Sequence, residues 1–485
     1  MAFYDTLSRE MPEPSETPQN PLYERYVSVA MGRIFSRDHR YAAWRRIWIA
    51  LAECQAELGL PIRPEELAAL RSAPPIDFDR VAEIERETRH DVVAHLRHFA
   101  EQTGAAGGRL HLGATSAFVT DNADLLLIRE ALELVEGRLA AALRPLADFA
   151  RRTRHVPCLA YTHLQPAQLT TVGKRACLWA QDLLEDLREV RRRRSGLRLR
   201  GAKGTTGTQA SFLTLFGGDH AKVEALDRRL AERLGFSESW PVTGQTYPRK
   251  QDSQVLAALA GIAESTHKMA TDLRLLQGLG ELSETFGSRQ VGSSAMPYKR
   301  NPIRSERVCA LARRLLTTTW NGPLTASVQW LERSLDDSAN RRLVLPDAFL
   351  LTDAVLLLTA DVAAGLEVRE TAVAARVRDQ LPFMATETLL MEASAGGGSR
   401  QELHERIRRL SLDAHAAVER GEPNPLLDRL AEDPELAPYR ERLEEVRDPI
   451  RLTGRAAQQV ERFLAEELEP ALAEAPAAEG EEIRV

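Results

Sequence analysis

The sequence predicts an all-α protein of three domains built around a central bundle of long helices. Three observations carry this. Several long stretches place apolar residues at steps of three and four. No run of strict alternation rivals them, so strands should be few. The chain has 485 residues, which at about 150 residues per domain suggests three domains.

The first twenty or so residues hold several prolines among Glu and Ser and read as a loose arm. A helix over about Tyr41–Leu58 follows. It carries Trp44, Trp48, Leu51, Cys54 and Leu58 on one face, and Gly59 and Pro61 end it. A further helical stretch, Asp77 to about Gln102, runs into the glycine-rich segment GAAGGRLHLGATS. From Asp121 to about Thr153 the stripe is Leu125, Ile128, Leu132, Val135, Leu139, Leu143, Leu146 and Phe149. Thr120 or Asp121 should cap this helix and Pro145 should kink it. A second long helix carries Trp179, Leu183, Leu187 and Val190, and a third Val255, Leu259, Ile262, Met269 and Leu273. Two more are expected near Ser305–Thr319 and Leu343–Leu366. These Ala- and Leu-rich stripes are long for a lone subunit, so a homo-oligomer is expected over a monomer covered by its own end domains. The last segment starts near Arg369, where Ser399 and Glu402 have the spacing of a capping box. The tail after Glu469 is expected to fray. The domains are therefore 1–115, 116–368 and 369–485, the second being the long-helix bundle.

Composition narrows the function. Hydrophobic residues make up 44% and charged residues 28%, the balance of an ordinary globular protein. The net charge of −6 disfavours general nucleic-acid or membrane-surface binding, so any anion must be held by local Arg, Lys or backbone donors. Cys54, Cys158, Cys177 and Cys309 are scattered without metal spacing and read as free thiols in a reducing compartment. No signal peptide is evident, and the apolar run near Ala354–Leu366 falls short of a membrane span, so a cytoplasmic location is expected.

Five segments have unusual polar density. In TRHDV, Arg89, His90 and Asp91 are consecutive and would share a cleft only at a helix end. His95 and His98 have a spacing that admits a metal, but no third ligand is marked and a solvated helix face is the simpler reading. In YTHLQPAQLTTVGKR, His163 precedes a proline and a helix start, where a proton donor or acceptor or a plain loop histidine would both fit. RGAKGTTGTQASF does not match a nucleotide P-loop; a flexible substrate-facing loop and a connector both fit. QVGSSAMPYKRNPIRSERV puts two serines, Lys299 and a helix start together, a set suited to deprotonation beside a carboxylate or to a basic helix cap. In QWLERSLDDSANRRL, Arg333, Ser338, Arg341 and Arg342 offer donors to a phosphate unless Asp336 and Asp337 neutralise them.

The segment Gly292-Ser293-Ser294-Ala295-Met296-Pro297-Tyr298-Lys299-Arg300-Asn301 resembles the GSSxMPxKxN signature of the fumarase/aspartase superfamily. With RHDVxAH, HLGATS, THxQPAQLTTVGKR, RGxKGTTGTQASF, TGQTYxRK and ERxLDDSANRR, the chain is most similar to the adenylosuccinate lyase family, in the branch that includes the animal enzymes. The likeness runs from about Pro21 to Leu468. It implies a homotetramer whose central helices form the core, with each active site built from three subunits and with no cofactor or metal. It implies release of fumarate from adenylosuccinate and from SAICAR by anti elimination. Another fumarate-releasing lyase, such as argininosuccinate lyase, is the alternative; it would not need a phosphate set. By position, the resemblance makes Ser293 the base and His163 the acid. It makes His90 an orienting group and Lys299 the stabiliser of the carbanion-like intermediate. It gives nucleotide binding, mainly to the phosphate, to Arg25, Tyr26, Arg333, Ser338 and Arg342. Arg89, Asp91, Thr115, Ser116, Gln245 and Arg307 would hold the rest of the substrate.

Overall fold

The computed structural model describes residues 20–287, 290–439 and 445–477, so most of the N-terminal arm lies outside the described residues. Five long helices form the centre: Ser116–Thr153, Val172–Ser195, Lys250–Gly278, Ile303–Thr319 and Asp336–Ala364. Helix 116–153 buries the whole predicted stripe from Leu125 to Phe149. Each fully buried Leu, Ile or Phe contributes about 1.5–3 kcal/mol, so this single stripe accounts for a large share of the core. Helices 172–195 and 336–364 pack on it, and helices 250–278 and 303–319 complete the bundle. Pro145 lies inside helix 116–153 without ending it. Strands are few: Pro157–Thr162 pairs with Gln165–Thr171, and Leu282–Ser283 with Glu367–Val368.

Several local expectations change. Helix 116–153 begins one turn earlier than its apolar stripe, with Thr115 at the N-cap, so Asp121 is an interior, buried residue rather than a cap. The stretch 77–102 is two helices, Phe78–Thr88 and Asp91–Thr103. The break comes from Arg89, which takes a left-handed backbone at φ 54°, and from His90, which is extended. Ser399 precedes helix Arg400–Glu419, but its side chain makes no capping bond, so the box is not formed.

The C-terminal part has its own apolar cluster, including Leu389, Leu403, Ile407, Leu430 and Leu436. The chain then returns to the bundle. Val460, Leu464, Leu468 and Leu472 join the main core, so the segment to Ala473 is docked rather than frayed. Arg188–Glu467 at 2.6 Å and Arg154–Glu461 at 3.1 Å flank the contact, but exposed pairs add little and the apolar anchors decide it.

Helix Asp336–Ala364 exceeds the sequence expectation: an 18-residue window has mean hydropathy 1.8, enough to cross a membrane by length and composition. That window is 72% buried within the fold, where the helix is a core element. Ahead of it and into its second turn runs an exposed apolar strip: Trp320, Leu324, Val328, Trp330, Leu331, Leu335 and Leu343. Cys54, Cys158 and Cys309 are buried free thiols, and Cys177 is half-buried.

His95 and His98 form neither a metal pair nor a solvated face; both are buried. His95 stacks on Tyr41 with ring centres 3.9 Å apart and meets Trp44 edge-on at 5.3 Å. His98 Nε2 accepts the Asp77 backbone N–H at 3.1 Å. Burial lowers the His95 imidazole to about 4. The folded state therefore binds fewer protons than the unfolded state below pH ~6.5, so stability is full above that pH and falls as pH drops toward ~4. His95 should account for about 2 kcal/mol of stability lost between pH 7.5 and pH 5. Denaturant midpoints at the two pH values test this. His95→Phe should shrink the difference, and an unchanged difference would reject the assignment.

Candidate active site

The break at 88–91 does what consecutive residues on a helix could not. Because Arg89 turns the chain left-handed, His90 sits at the head of a new helix and faces helix 116–153. His90 Nε2 lies 3.4 Å from Ser116 Oγ, and its Nδ1 lies 3.5 Å from Asp91 Oδ1. Asp91 Oδ1 also accepts the Val92 N–H at 2.8 Å, and Asp91 Oδ2 accepts from Arg342 Nη2 at 2.7 Å. Thr115 makes no side-chain cap bond, which leaves its hydroxyl available beside His90 and Ser116.

Of these residues Asp91 lines a narrow cavity, together with Arg333, Ser338, Arg342, Arg40 and Tyr41. Helices 91–103, 116–153, 250–278 and 336–364 all begin around it. Helix N-termini carry partial positive charge and free N–H groups, so their convergence favours an anion.

Beneath lies a buried ionic floor whose pairings the sequence did not mark. Arg249 holds Asp121 at 2.9 Å and Asp337 at 2.6 Å. Arg341 holds Asp252 at 2.7 Å and Asp124 at 3.0 Å. Tyr247 donates to Asp252 Oδ1 at 2.5 Å and accepts from Arg341 at 2.7 Å. Burial opposes every one of these charges. For Asp121 the Arg249 and Arg341 guanidiniums outweigh it and hold the carboxyl below its usual range. For Arg341, Asp252, Tyr247 and Asp124 do the same and keep it firmly charged. Breaking such a buried pair from one side costs about 3–5 kcal/mol, so the floor fixes the three helix starts relative to each other.

The Arg–Asp question in the 329–343 segment thus has a divided answer. Arg341 belongs to the floor. Asp336 accepts from Ser334 at 2.5 Å and Asp337 belongs to Arg249. Arg333 is left with Asp337 at 3.6 Å, and its Nε and Nη1 are buried without a hydrogen-bond partner. Gln245 is tied in alongside, its N–H donating to Glu332 O at 2.9 Å and its carbonyl accepting from Arg200 Nε at 2.9 Å. Arg200 and Lys203 are buried, Lys203 paired with Asp227, so the start of the 200–212 loop is packed, while Thr205, Thr206 and Thr208 are exposed.

Ser293 lies on the loop before helix Ile303–Thr319. Its Oγ accepts the backbone N–H groups of Ala295 at 3.3 Å and Met296 at 3.1 Å. Gly292 is required by a close crossing, since a Cβ there would come within 2.0 Å of the Lys299 carbonyl oxygen. Asn301 Nδ2 ties the loop by donating to Gly292 O at 2.8 Å. The helix start after Asn301 is not free for Ser293, because Glu284 accepts the N–H groups of Arg304 and Ser305, each at 2.9 Å. Lys299 is exposed.

His163 does not precede a helix. It occupies the turn between Pro157–Thr162 and Gln165–Thr171, with φ 54° at His163 and 60° at Leu164. Two left-handed residues in a two-residue loop match the twist of a hairpin, yet neither is the usual Gly or Asn. Both side chains are exposed at the tip. The hairpin is anchored by Tyr161 Oη, which donates to Glu281 at 2.7 Å. Arg307 stands with its guanidinium 6.0 Å from the Tyr26 ring centre, and Arg25 beside Tyr26 is exposed.

Within one chain, then, the predicted residues form one polar cluster and three outliers. Asp91, Arg333, Ser338 and Arg342 line the cavity; His90 joins Asp91 to Ser116 beside it, with Arg89 and Thr115 as their chain neighbours, and Gln245 is tied to Glu332, next to Arg333. Ser293 with Lys299, His163, and Arg25–Tyr26–Arg307 stand apart. Among the described residues, no hydrogen bond or ion pair joins them to that cluster. Sequence reasoning missed Arg40 and Tyr41 as cavity residues and Arg249 as a floor residue, and it offered Arg341 to a phosphate where it instead serves the floor. Their spacing carries no signal, because they come from helices far apart in sequence.

Comparison with known proteins follows the same lines. The family model described as Lyase matches residues 39–316, and the model described as Adenylosuccinate lyase C-terminus matches residues 382–463. The adenylosuccinate lyase of Saccharomyces cerevisiae is 50% identical over 457 residues, covering 93% of this chain and 95% of its own. That of Schistosoma mansoni is 48% identical over 461 residues, covering 94% and 96%. In fold, the chain is similar to the crystal structure of a fumarate lyase from Mesorhizobium sp. BNC1, with a TM-score of 0.79 at 24% identity over 93% of this chain and 100% of that one.

Proposed function

Because the chain belongs to the adenylosuccinate lyase family of the fumarase/aspartase superfamily, and is a carbon–nitrogen lyase, we propose how its polar segments divide the work. The substrates are adenylosuccinate, cleaved to AMP and fumarate, and SAICAR, cleaved to AICAR and fumarate. The observation that carries this reading is the cavity where Arg333, Ser338 and Arg342 meet at converging helix starts, with buried Arg333 nitrogens unpartnered. It is built for a phosphate, which argininosuccinate and fumarase substrates lack.

In the reaction, Ser293 Oγ takes the proton from the succinyl carbon. The electron pair spreads into the adjacent carboxylate, where Lys299 stabilises the charge. The bond to the purine-side nitrogen breaks as His163 delivers a proton to it. A serine hydroxyl is a weak base, and the two backbone N–H groups on Ser293 Oγ support its alkoxide by bonding the charged form. His90, set between Ser116 and Asp91, orients the substrate with Arg89, Thr115 and Gln245. Arg25, Tyr26 and Arg307 complete the nucleotide grip.

The same reading includes a homotetramer with shared sites. The exposed strip from Trp320 to Leu343 supports it, since so many large apolar side chains in one stretch favour burial against another copy. It also keeps the three-part division at 115 and 368, a cytoplasmic location, and no resident cofactor. The test is direct. Purified protein should lose adenylosuccinate absorbance and release fumarate with no added metal or nucleotide cofactor. Activity on argininosuccinate with none on adenylosuccinate would overturn the reading.

A further inference from the structure

Among the described residues, hydrogen bonding around the anion cavity is nearly complete; the unpartnered donors belong to two guanidiniums, and the one unpartnered acceptor, Asp337 Oδ1, lies 3.6 Å from Arg333 Nη2. Arg342 meets Asp91, Arg341 meets Asp124 and Asp252, and Arg249 bridges Asp121 and Asp337. Arg333 keeps two buried nitrogens unpartnered. Arg40 lines the same cavity from helix Arg37–Glu57, and its Nε is also buried with no hydrogen-bond partner. Asp124, a carboxylate whose charge Arg40 feels, is already held by Arg341 at 3.0 Å. A guanidinium offers five donors and no acceptor, and buried donors are rarely left unpaired. Orphan donors on two walls of one cavity therefore call for an acceptor-rich anion between them.

We propose that Arg40 is a further substrate-binding residue, reading the phosphate together with Arg333. The inference rests on the cavity being the nucleotide phosphate site. Arg40 lies in RDHRYAAW, outside every motif segment that carries the family resemblance. Its placement explains why this wall of the cavity is polar: Arg40 and Tyr41 enter from the first two turns of a helix whose remaining turns bury Trp44, Ile47 and Trp48. The apolar face fixes the helix and leaves its N-terminal end to face the ligand.

The test compares adenylosuccinate with its dephosphorylated analogue, succinyladenosine. Arg40→Ala should raise KM for adenylosuccinate about tenfold or more with kcat within about twofold, the pattern of lost binding rather than lost chemistry. The preference for the phosphorylated substrate should fall by the same factor, and inhibition by inorganic phosphate should weaken in parallel. Arg40→Lys, which keeps charge and stem, should recover part of both. It also serves where the alanine variant folds poorly. An equal loss on both substrates, or an unchanged KM, would overturn the proposal. An unaltered enzyme that does not prefer the phosphorylated substrate would instead overturn the phosphate-site reading. If that preference is present and survives in Arg40→Ala, only the assignment of Arg40 fails.

Discussion

Ser293→Ala is expected to lower kcat for fumarate release by at least about 1,000-fold, a loss of about 4 kcal/mol of transition-state stabilisation. The reason is that alanine removes the only atom at this position able to take the proton. Nothing else on the loop replaces it: Lys299 is a cation suited to stabilising charge, and the two backbone donors that support an alkoxide sit on Ser293 Oγ. The substitution should leave the fold intact. Ser293 Oγ bonds only to N–H groups of its own loop, and the loop is held from elsewhere, by Asn301 on Gly292 and by Glu284 on the helix start. Stopped assays with oligomer size and thermal unfolding measured alongside separate the two effects. Turnover within tenfold of the unaltered enzyme, in a normally assembled protein, would remove Ser293 from the role of base. A normal KM with depressed kcat is the signature of an interaction used only in the transition state.

The bundle was legible because its signal is local. Leu125 to Phe149 repeats every three or four residues whatever it packs against, and helix 116–153 buries that whole stripe. The break at Arg89 was not legible, since a left-handed arginine has none of the glycine or proline cues that mark a helix end. The docking of Val460 to Leu472 was hidden for another reason. A tail rich in Ala and Glu looks unstructured until the groove that receives it exists. In the site, chemistry-bearing residues stood out only where they were dense in sequence, as in the Ser293 and Arg333 segments. The ionic floor of Asp121, Tyr247, Arg249, Asp252 and Arg341 is assembled from separate helix starts, with Asp252 and Arg341 89 residues apart and Asp121 and Arg249 128 apart, and no spacing rule reaches it. Family resemblance pointed to roles for His163 and Ser293 that their local context left open. The structure places His163 at a hairpin turn and sets two backbone N–H groups on Ser293 Oγ.

Mixing Ser293→Ala with His163→Ala, each expected to be nearly inactive alone, should restore up to about a quarter of full activity once subunits have exchanged. The figure follows from symmetry. If a site draws its base from one subunit and its acid from another, random mixing of equal amounts supplies both intact residues at about one site in four. If both came from the same chain, every site would lack one or the other and no activity could return. Anti elimination requires acid and base on opposite faces of one substrate, within hydrogen-bond reach of it. Yet in a single chain His163 projects from an exposed hairpin tip, and neither it nor the Ser293 loop is bonded to the cluster around the phosphate cavity. The exposed strip carrying Trp320, Trp330 and Leu331 borders the segment that holds Arg333, Ser338 and Arg342, so a copy that covered it would approach the cavity. Exchange is verified by mass-tagged subunits after mild dissociation and reassembly. Verified exchange with no recovery would mean that base and acid belong to one chain. The separation of the Ser293 loop from the cavity would then have to be closed by movement within that chain.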